Sequence, residues 1–294
     1  MTDLTYIFCE IYDFCKDFEK YFSKRALSSG NKIRNREMRM TLAEVMIISI
    51  YYHESGFITF KDYYEKQVLA HMTRDFKLVS YNRFIELRKM AMLPLLVFLV
   101  VRKMATCTGI SYIDSFPLKV CHIKRESGHK VMRGIAKKGK TSVGWFYGLK
   151  LHAIINHKGE IVSFTISPGN VADNNTDIIY GITKGIFGKL FGDKGYLLRK
   201  EVREKIAKNN LSIFTKGKKK MPAKPMLQID KELLQKRGVI ESVGDILKNH
   251  LQLEQTRHRS VCGYFTHLFS SLIAYQMREK KPSIESFVKN LIPA

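Results

Sequence analysis

The stretch FYGLKLHAIINHKGEIVSFTIS, residues 146–167, decides the fold class of this 294-residue chain. It contains two runs rich in aromatic and β-branched residues, 146–156 and 160–167, with Lys158 and Gly159 between them. Such runs joined by a short glycine-containing segment predict a β-hairpin. The chain is therefore expected to build a sheet here.

The segments around this hairpin alternate between strand and helix patterns. Residues 111–117 predict a short strand that stops at Pro117, and residues 188–192 and 211–215 predict two more. Helical spacing of apolar residues predicts helices at 173–182, 198–209, 231–252 and 264–279. This order of elements predicts an α/β fold.

The first 105 residues have a different pattern, rich in Leu, Met, Ile and Tyr and poor in glycine. Thr41 and Glu44 form a capping-box pattern that opens a helix at 42–52. Two further helices are predicted at 80–92 and 95–105, separated by Pro94. We therefore expect an all-helical N-terminal domain at 1–105, which either binds DNA through a helix-turn-helix or is a plain helical bundle.

The charge of the chain points to a polyanionic partner. Fifty Lys and Arg against 27 Asp and Glu give a net charge of +23, which favours nucleic acid or an anionic membrane surface. The longest apolar run, 90–101, is too short to span a bilayer, so no membrane partner is expected. The acidic N-terminal segment does not resemble a signal peptide, which predicts a cytoplasmic, nucleoid-associated protein. The five cysteines form no CxxC pair, so neither a zinc site nor a disulfide framework is indicated.

Three acids stand out by their positions. Asp114 lies inside an apolar strand, where a carboxylate needs a partner. Asp193 follows a predicted strand, and ligands collect at strand ends in open α/β sheets. Glu241 shares one face of a predicted helix with Arg237 and Lys248. A buried ion pair, a turn-forming aspartate and a surface ion pair are the respective alternatives.

Six segments, in this order, resemble the transposases of bacterial insertion sequences, specifically the nine-eighty-two subgroup of the DDE class. They are residues 112–118 (YIDSFPL), 144–152 (GWFYGLKLH), 167–173 (SPGNVAD), 189–196 (KLFGDKGY), 239–242 (VIES) and 256–260 (TRHRS). The resemblance implies a catalytic domain at 106–294 with a ribonuclease H-like mixed sheet flanked by helices. It also implies that Asp114, Asp193 and Glu241 are the catalytic acids, accompanied by Arg237 and Lys248.

The chemistry of such an enzyme suits this set of residues. Attack on a phosphodiester needs a deprotonated nucleophile and a stabilised leaving oxygen, which two metal ions provide together. Carboxylate oxygens suit Mg²⁺ or Mn²⁺, so Asp114, Asp193 and Glu241 are the expected ligands. The expected function is cleavage at element ends and transfer of 3′-hydroxyls to target DNA. The alternatives are a non-catalytic DNA-binding protein and a nuclease of the same fold that only hydrolyses.

Basic residues near these acids are candidates for DNA contact. Residues 119–150 contain nine Lys or Arg and one acid, and residues 216–225 form a predicted basic loop. The proposed contacts to double-stranded DNA, beyond Arg237 and Lys248, are Lys137, Lys138, Lys140, Lys150, Arg257 and Arg259. A solvated charged face is the alternative. His152 and Trp145 are weaker candidates, since such residues are more often structural. Joining two element ends implies a homodimer or higher assembly on DNA.

Overall fold

A computed structural model describes residues 4–28, 39–217, 226–255 and 257–291 of the chain. Contacts between residues divide the chain into two compact units. The first unit comprises Met1–Lys103, Leu247–Leu253 and His258–Glu279, and the second comprises Met104–Ile246, Glu254–Arg257 and Lys280–Ala294. The predicted functional domains, 1–105 and 106–294, stay a prediction.

The described residues form the following regular elements. The α-helices are α1 Leu4–Ser28, α2 Leu42–Tyr51, α3 Phe60–Tyr63, α4 Leu69–His71, α5 Tyr81–Met90, α6 Met92–Phe98, α7 Thr176–Ile182, α8 Lys200–Ala207, α9 Gln228–Gln235, α10 Gly238–Asp245, α11 Val261–Met277 and α12 Glu285–Leu291. The strands are β1 Ile110–Cys121, β2 Lys137–Lys140, β3 Trp145–Asn156, β4 Ile161–Pro168, β5 Gly188–Gly192 and β6 Leu211–Thr215.

Helix α2 begins at the capping box that the sequence predicts. The Thr41 hydroxyl accepts a hydrogen bond from the Glu44 N–H at 3.2 Å, and the Glu44 carboxylate accepts one from the Thr41 N–H at 2.6 Å. Two N–H groups that have no acceptor inside the helix are thus satisfied. The predicted bounds, 42–52, are confirmed to within one residue.

The expected separation of two helices at Pro94 is wrong. Pro94 lies in the first turn of α6, which begins at Met92. A proline is tolerated there because the first N–H groups of a helix have no helical acceptor. After Phe98 the chain continues as a π-helical turn, Leu99–Lys103.

The first unit groups three histidine rings. The ring centroid of His267 lies 4.7 Å from that of His53 and 5.0 Å from that of His258. His53, His267 and the nearby Arg88 are buried, and His258 is half-buried. Burial lowers the pKa of His53 and of His258 to about 3, and lowers the pKa of His267 well below its usual value. These rings are therefore neutral, and Nδ1 of His53 donates to the Leu251 carbonyl at 2.6 Å.

The apolar run at 90–101 belongs to α6 and the turn after it, and its Leu95, Phe98 and Leu99 side chains are buried. The interpretation of this run as a buried helix is therefore confirmed only for one side of it, because Met90, Leu93, Val100 and Val101 are exposed. In the ranges that the structure describes, no helix combines the length and the apolar character needed to cross a membrane.

The second unit is built on a mixed six-stranded sheet. The strand order is β2-β3-β1-β5-β6, and β4 pairs with the other end of β3. Strand β3 is antiparallel to β1, β2 and β4, whereas β1, β5 and β6 run parallel. This mixed sheet with its helices fits the ribonuclease H-like core that the resemblance implies.

Most of the predicted strands are confirmed, but β1 is longer than expected. Strands β5 and β6 have the predicted bounds, and β3 and β4 form the predicted hairpin. Strand β1 continues through Pro117 to Cys121, so the prediction that it stops at the proline is wrong. The pairing of β1 with β5 covers only Ile110–Ile113, so one edge of β1 is unpaired at Pro117. Proline, which has no N–H, is tolerated at such an edge.

The apolar core of the second unit lies on one face of the sheet, under α7 and α8. Ile113 and Ile154 on the sheet pack with Ile179 of α7 and Ile206 of α8, and all four side chains are buried. Full burial of an isoleucine side chain stabilises a fold by roughly 1.5–3 kcal/mol. Since side chains alternate along a strand, Asp114 points to the opposite face from Ile113.

The helix predicted at 231–252 is instead two helices. It breaks at Lys236 and Arg237, after which α10 begins. The Leu233 carbonyl, which a continuous helix would use for the Arg237 N–H, accepts from the Tyr112 hydroxyl at 3.0 Å and from the Lys236 N–H at 3.1 Å. A contact with β1 thus takes the place of a helical hydrogen bond.

Helix α10 packs directly on β1. Its Val239, Ile240 and Val243 side chains are buried, and Gly244 lies so close to the Phe116 ring that an added Cβ would overlap it. Phe116 and Asp114 lie on the same face of β1. The helix that carries Glu241 is therefore held against the face that carries Asp114.

Candidate active site

Asp114 lies in the middle of β1, opposite Ala153 of β3, with 22% of its side chain exposed. The Ser115 N–H donates to its Oδ1 at 2.8 Å. Burial raises the pKa of Asp114 to about 6, against the opposing effects of that hydrogen bond and of the Arg237 charge. The negative charges of Glu241 and Asp173 raise this pKa further. The Arg237 charge therefore favours the ionised form of this carboxylate.

Arg237 contacts two of the predicted acids. Its Nη1 lies 3.5 Å from Oδ2 of Asp114, and its Nη2 donates to Oε1 of Glu241. Arg237 caps the N-terminus of α10, so Glu241 follows it by about one turn on the same side. One guanidinium group thus bridges two carboxylates, one from a strand and one from a helix, and balances one of their two charges.

Asp193 comes next to Asp114 through the register of the sheet. The last paired residues of the parallel strands β1 and β5 are Ile113 and Gly192, and the two aspartates follow them directly. Neighbouring strands lie about 4.8 Å apart, so the backbones at the two acids are close. The side chain of Asp193 is exposed, and its carbonyl accepts from the Tyr196 N–H at 3.0 Å to start a short 3₁₀ turn.

The donor set suits a hard divalent ion by its chemistry, because Asp114, Asp193 and Glu241 offer only carboxylate oxygens. Within the described parts of the chain, no three His, Cys, Asp or Glu side chains are gathered closely enough to hold a metal ion as they stand. Arg237 occupies the space between two of the acids. The chemistry of these three side chains, and not their present spacing, is what fits Mg²⁺ or Mn²⁺.

A second polar group, which sequence reasoning did not single out, lies behind Asp114. The Ser115 hydroxyl donates to Oδ1 of Asp173 at 2.8 Å, and Nζ of Lys150 donates to the same oxygen at 2.9 Å. Lys150 also donates to the Val171 carbonyl at 3.0 Å. Hydrogen bonds through Ser115 therefore connect Asp114 to a partly buried ion pair. The sequence did contain a signal for Asp173, because this residue ends the segment 167–173, one of the six that resemble the transposase family.

Asp173 also touches the turn that follows Asp193. A Cβ built on Gly195 would lie 3.6 Å from Oδ2 of Asp173. The adjacent Tyr196 is buried, and its hydroxyl has no hydrogen-bond partner in the described ranges. Burial, together with the charges of Asp114 and Asp173, raises the pKa of Tyr196 well above its usual value. This hydroxyl stays protonated beside the acids.

The predicted DNA-contacting cations have different surroundings. The Lys150 side chain is only 11% exposed and is directed to Asp173, so it has little surface to offer a phosphate. Lys248 lies half-buried in a π-helical turn, Ile246–His250, and residues 218–225 of the predicted basic loop lie outside the described residues. The exposed members are Lys137, Lys138, Lys140, Arg257 and Arg259. The contacts of these residues with DNA stay a prediction.

His152 and Trp145, the weaker candidates, differ in exposure. His152 is buried, its Nε2 lies 2.8 Å from the Ser167 hydroxyl, and burial lowers its pKa to about 4. This arrangement fits a structural role for a neutral ring. Trp145 is 56% exposed and is therefore not part of the core.

Comparison with known families identifies the kind of domain that this chain contains. The sequence model of the family described as "Transposase DDE domain" matches residues 104–261, more than half of the chain. The matched range contains Asp114, Asp193 and Glu241. No curated protein and no solved structure matches this chain.

Proposed function

Since this chain belongs to the family of transposases with a DDE domain, we propose that it cleaves DNA at the ends of an insertion element and joins the 3′-hydroxyls to target DNA. The observation that supports this most directly is the contact of Arg237 with both Asp114 and Glu241, beside Asp193. Two carboxylates, one from a strand and one from a helix, contact the same cation, and the backbone of the third acid, Asp193, adjoins that of Asp114.

The proposed reaction has two phosphoryl-transfer steps. In the first, a water oxygen attacks the phosphorus at the element end, the bond from phosphorus to the 3′-oxygen breaks, and that oxygen leaves as a 3′-hydroxyl. In the second, this hydroxyl oxygen attacks a phosphorus of target DNA and displaces the 3′-oxygen of the target strand. One phosphodiester is broken and one is formed in the second step, so no external energy source is needed.

We assign Asp114, Asp193 and Glu241 as the ligands of two Mg²⁺ or Mn²⁺ ions. When bound, such ions lower the pKa of the nucleophile and stabilise the leaving oxygen. The chain itself orients the acids: the Ser115 N–H holds Oδ1 of Asp114, and α10 fixes the position of Glu241. Arg237, displaced from the carboxylates, is then free to bind a DNA phosphate through its planar fork of donors.

Two element ends must be held together before they are joined to a target. We therefore propose that the protein acts as a homodimer or a higher assembly on double-stranded DNA. Lys137, Lys138, Lys140, Arg257 and Arg259 are exposed cations that suit contact with the phosphate backbone. Membership of the nine-eighty-two subgroup is part of this proposal and rests on the sequence resemblance.

The test is a joining assay with end-containing DNA and a plasmid target in Mg²⁺ or Mn²⁺. The proposal predicts nicked and joined products that disappear with Asp193→Asn. The matched control is Asp177→Asn, which changes an exposed aspartate of α7 outside the site and should leave joining unchanged. Cleavage without joining would identify a hydrolytic nuclease instead. Binding with neither reaction would identify a non-catalytic DNA-binding protein.

A further inference from the structure

The hairpin formed by β2 and β3 has a short, ordered tip. Lys140 pairs with Trp145, and only four residues connect them. The Thr141 N–H donates to the Gly144 carbonyl at 2.8 Å, and the Thr141 hydroxyl donates to the same oxygen at 3.1 Å. Gly144 has φ +146°, a conformation that favours glycine. These contacts fix the backbone at the tip.

The tip exposes apolar side chains between lysines. Trp145 is 56% exposed and Val143 is 96% exposed. Nζ of Lys138 lies 5.2 Å from the centroid of the Trp145 ring, and Nζ of Lys140 lies 5.5 Å from it. An indole that burial does not explain is thus flanked by two ammonium groups.

The base of this hairpin cannot shift easily. Gly139, between the two lysines, is buried, and an added Cβ would overlap the Gly169 carbonyl and the Phe146 ring. The Gly169 N–H in turn donates to the Gly148 carbonyl of β3 at 3.0 Å. Lys138 and Lys140 are therefore carried by backbone that is packed against its neighbours on the sheet.

We propose that this hairpin tip is a base-stacking site, in which the Trp145 indole stacks on an unpaired base of DNA. Every base has a π-face, and stacking on an aromatic side chain is largely independent of sequence. Lys138 and Lys140 would bind the phosphates on either side of that base. The choice of DNA as the ligand rests on the proposed function, whereas the stacking itself rests on the exposed indole and its flanking cations.

The site is separate from the catalytic acids. Ala153, the residue opposite Asp114, lies eight positions after Trp145 along β3. At 3.3 Å per residue this is roughly 26 Å along the strand. In B-DNA that distance corresponds to about eight base pairs. Stacking at the tip would therefore affect how DNA is positioned on the protein and would not contact the reacting phosphate.

The intrinsic fluorescence of the protein can test this inference, because Trp145 is the only tryptophan in the chain. Two labelled DNAs would be titrated without divalent ions: a blunt duplex and the same duplex with a single-stranded tail. Anisotropy of the label reports binding, and tryptophan emission reports stacking. We expect emission to be quenched by the tailed DNA only, with binding roughly 5- to 100-fold tighter than for the blunt duplex.

Variants separate stacking from charge. Trp145→Ala should abolish the preference for the tailed DNA, whereas Trp145→Phe should retain much of it. Lys138→Gln with Lys140→Gln should weaken binding to both DNAs and reduce the salt dependence of binding. Thermal melts show whether each variant is folded; if Trp145→Ala does not fold, the quenching of the parent protein alone decides.

Two results would overturn the inference: DNA binding seen by anisotropy without selective quenching, or a Trp145→Ala protein that keeps its preference for the tail. These outcomes are independent of catalysis. If quenching is selective but the joining assay fails with the parent protein, the proposed function fails and the stacking site stands. If joining succeeds without selective quenching, only the stacking site fails.

Discussion

Gly244 lies against the ring of Phe116, and this contact sets how closely helix α10 approaches strand β1. Phe116 is two residues from Asp114 on the same face of the strand, and Gly244 is three residues from Glu241 on the helix. The spacing of the two proposed catalytic acids therefore depends on a position that has no side chain.

Replacing Gly244 with alanine should move α10 away from β1. The added methyl group overlaps the Phe116 ring, and overpacking of this kind costs about 1–3 kcal/mol of the free energy of unfolding. We expect this loss in urea titrations, and at least a roughly ten-fold loss in the joining rate, because a displaced Glu241 no longer meets Asp114 in the productive geometry.

The matched control is Gly181→Ala in α7, since no atom lies within 4 Å of a Cβ at that position. Alanine has the higher helix propensity, so this variant should be as stable as the parent or more stable by about 0.4–1 kcal/mol. Equal behaviour of the two variants would show that the Phe116 contact does not set the position of α10.

Replacing Arg237 with glutamine should increase the stabilisation that divalent ions give to the protein. Without the guanidinium, Asp114 and Glu241 repel each other, and the unfolding free energy in EDTA should fall by about 1–3 kcal/mol. An ion that replaces the lost positive charge should then raise the melting temperature more in the variant than in the parent. Thermal melts with and without Mn²⁺ measure both effects.

Arg83→Gln provides the comparison, because Arg83 pairs with Glu86 on an exposed helix surface. It should change stability by less than about 1 kcal/mol and leave the response to Mn²⁺ unaltered. The same Mn²⁺ response in the parent and in Arg237→Gln would contradict the idea that the arginine and the metal ions share a place.

Replacing Asp173 with asparagine should weaken metal binding although this residue is not a proposed ligand. Asparagine can still accept from Ser115, but the charge that balances Lys150 is lost and the contact with the Gly195 turn changes. Loss of a residue that orients metal ligands typically lowers metal affinity by roughly 10- to 100-fold. Calorimetric titration with Mn²⁺ would measure the change.

The same variant should lose about 1–3 kcal/mol of stability, because it leaves Lys150 buried without a counter-charge. Adding Lys150→Met should restore part of this loss in a double-mutant cycle. The exposed pair Lys200 and Glu204 is the control, and Glu204→Gln should cost less than about 1 kcal/mol. Strict additivity of the Lys150 and Asp173 changes would rule out their coupling.

The first unit should be acid-sensitive because of His53. Burial lowers the pKa of this ring to about 3, below its ordinary value of 6.5, so its contribution to stability is complete above pH 6.5 and is lost as pH falls towards 3. Between pH 6.5 and pH 5 the loss amounts to about 2 kcal/mol. Urea titrations across this range should show a smaller decrease for His53→Gln than for the parent. Parallel curves would mean that His53 does not resist protonation.

The boundaries of α2 and β5 could be predicted from the sequence, because they are set by residues close to them in the chain. Glycines enclose β5, and the capping box at Thr41 sets the start of α2. The break between α9 and α10 depends instead on the Tyr112 hydroxyl, more than a hundred residues earlier in the chain. Strand β2 contains three lysines and a glycine, and only its pairing with β3 makes it a strand.

The candidate site was predictable in its acids but not in its supporting residues. Asp114 and Asp193 each adjoin a strand pattern, so local sequence predicts where they lie, whereas their catalytic role stays a prediction that rests on the family resemblance. The role of Asp173 depends on Ser115, 58 positions away, and on Lys150 across the sheet. Local sequence could not reveal that Lys150 turns its charge inward, because the composition of residues 119–150 indicates only a basic surface.

Strand β5 ends at Gly192, whereas its neighbour β1 continues to Cys121, and this difference affects which insertions the sheet tolerates. Hydrogen bonding between the two strands is complete at Ile113 and Gly192, so the ladder does not constrain the chain after Asp193. Insertions in the turn beyond that residue leave the register of every strand intact. Natural variation can therefore reshape this edge of the proposed site while the two aspartates keep their places.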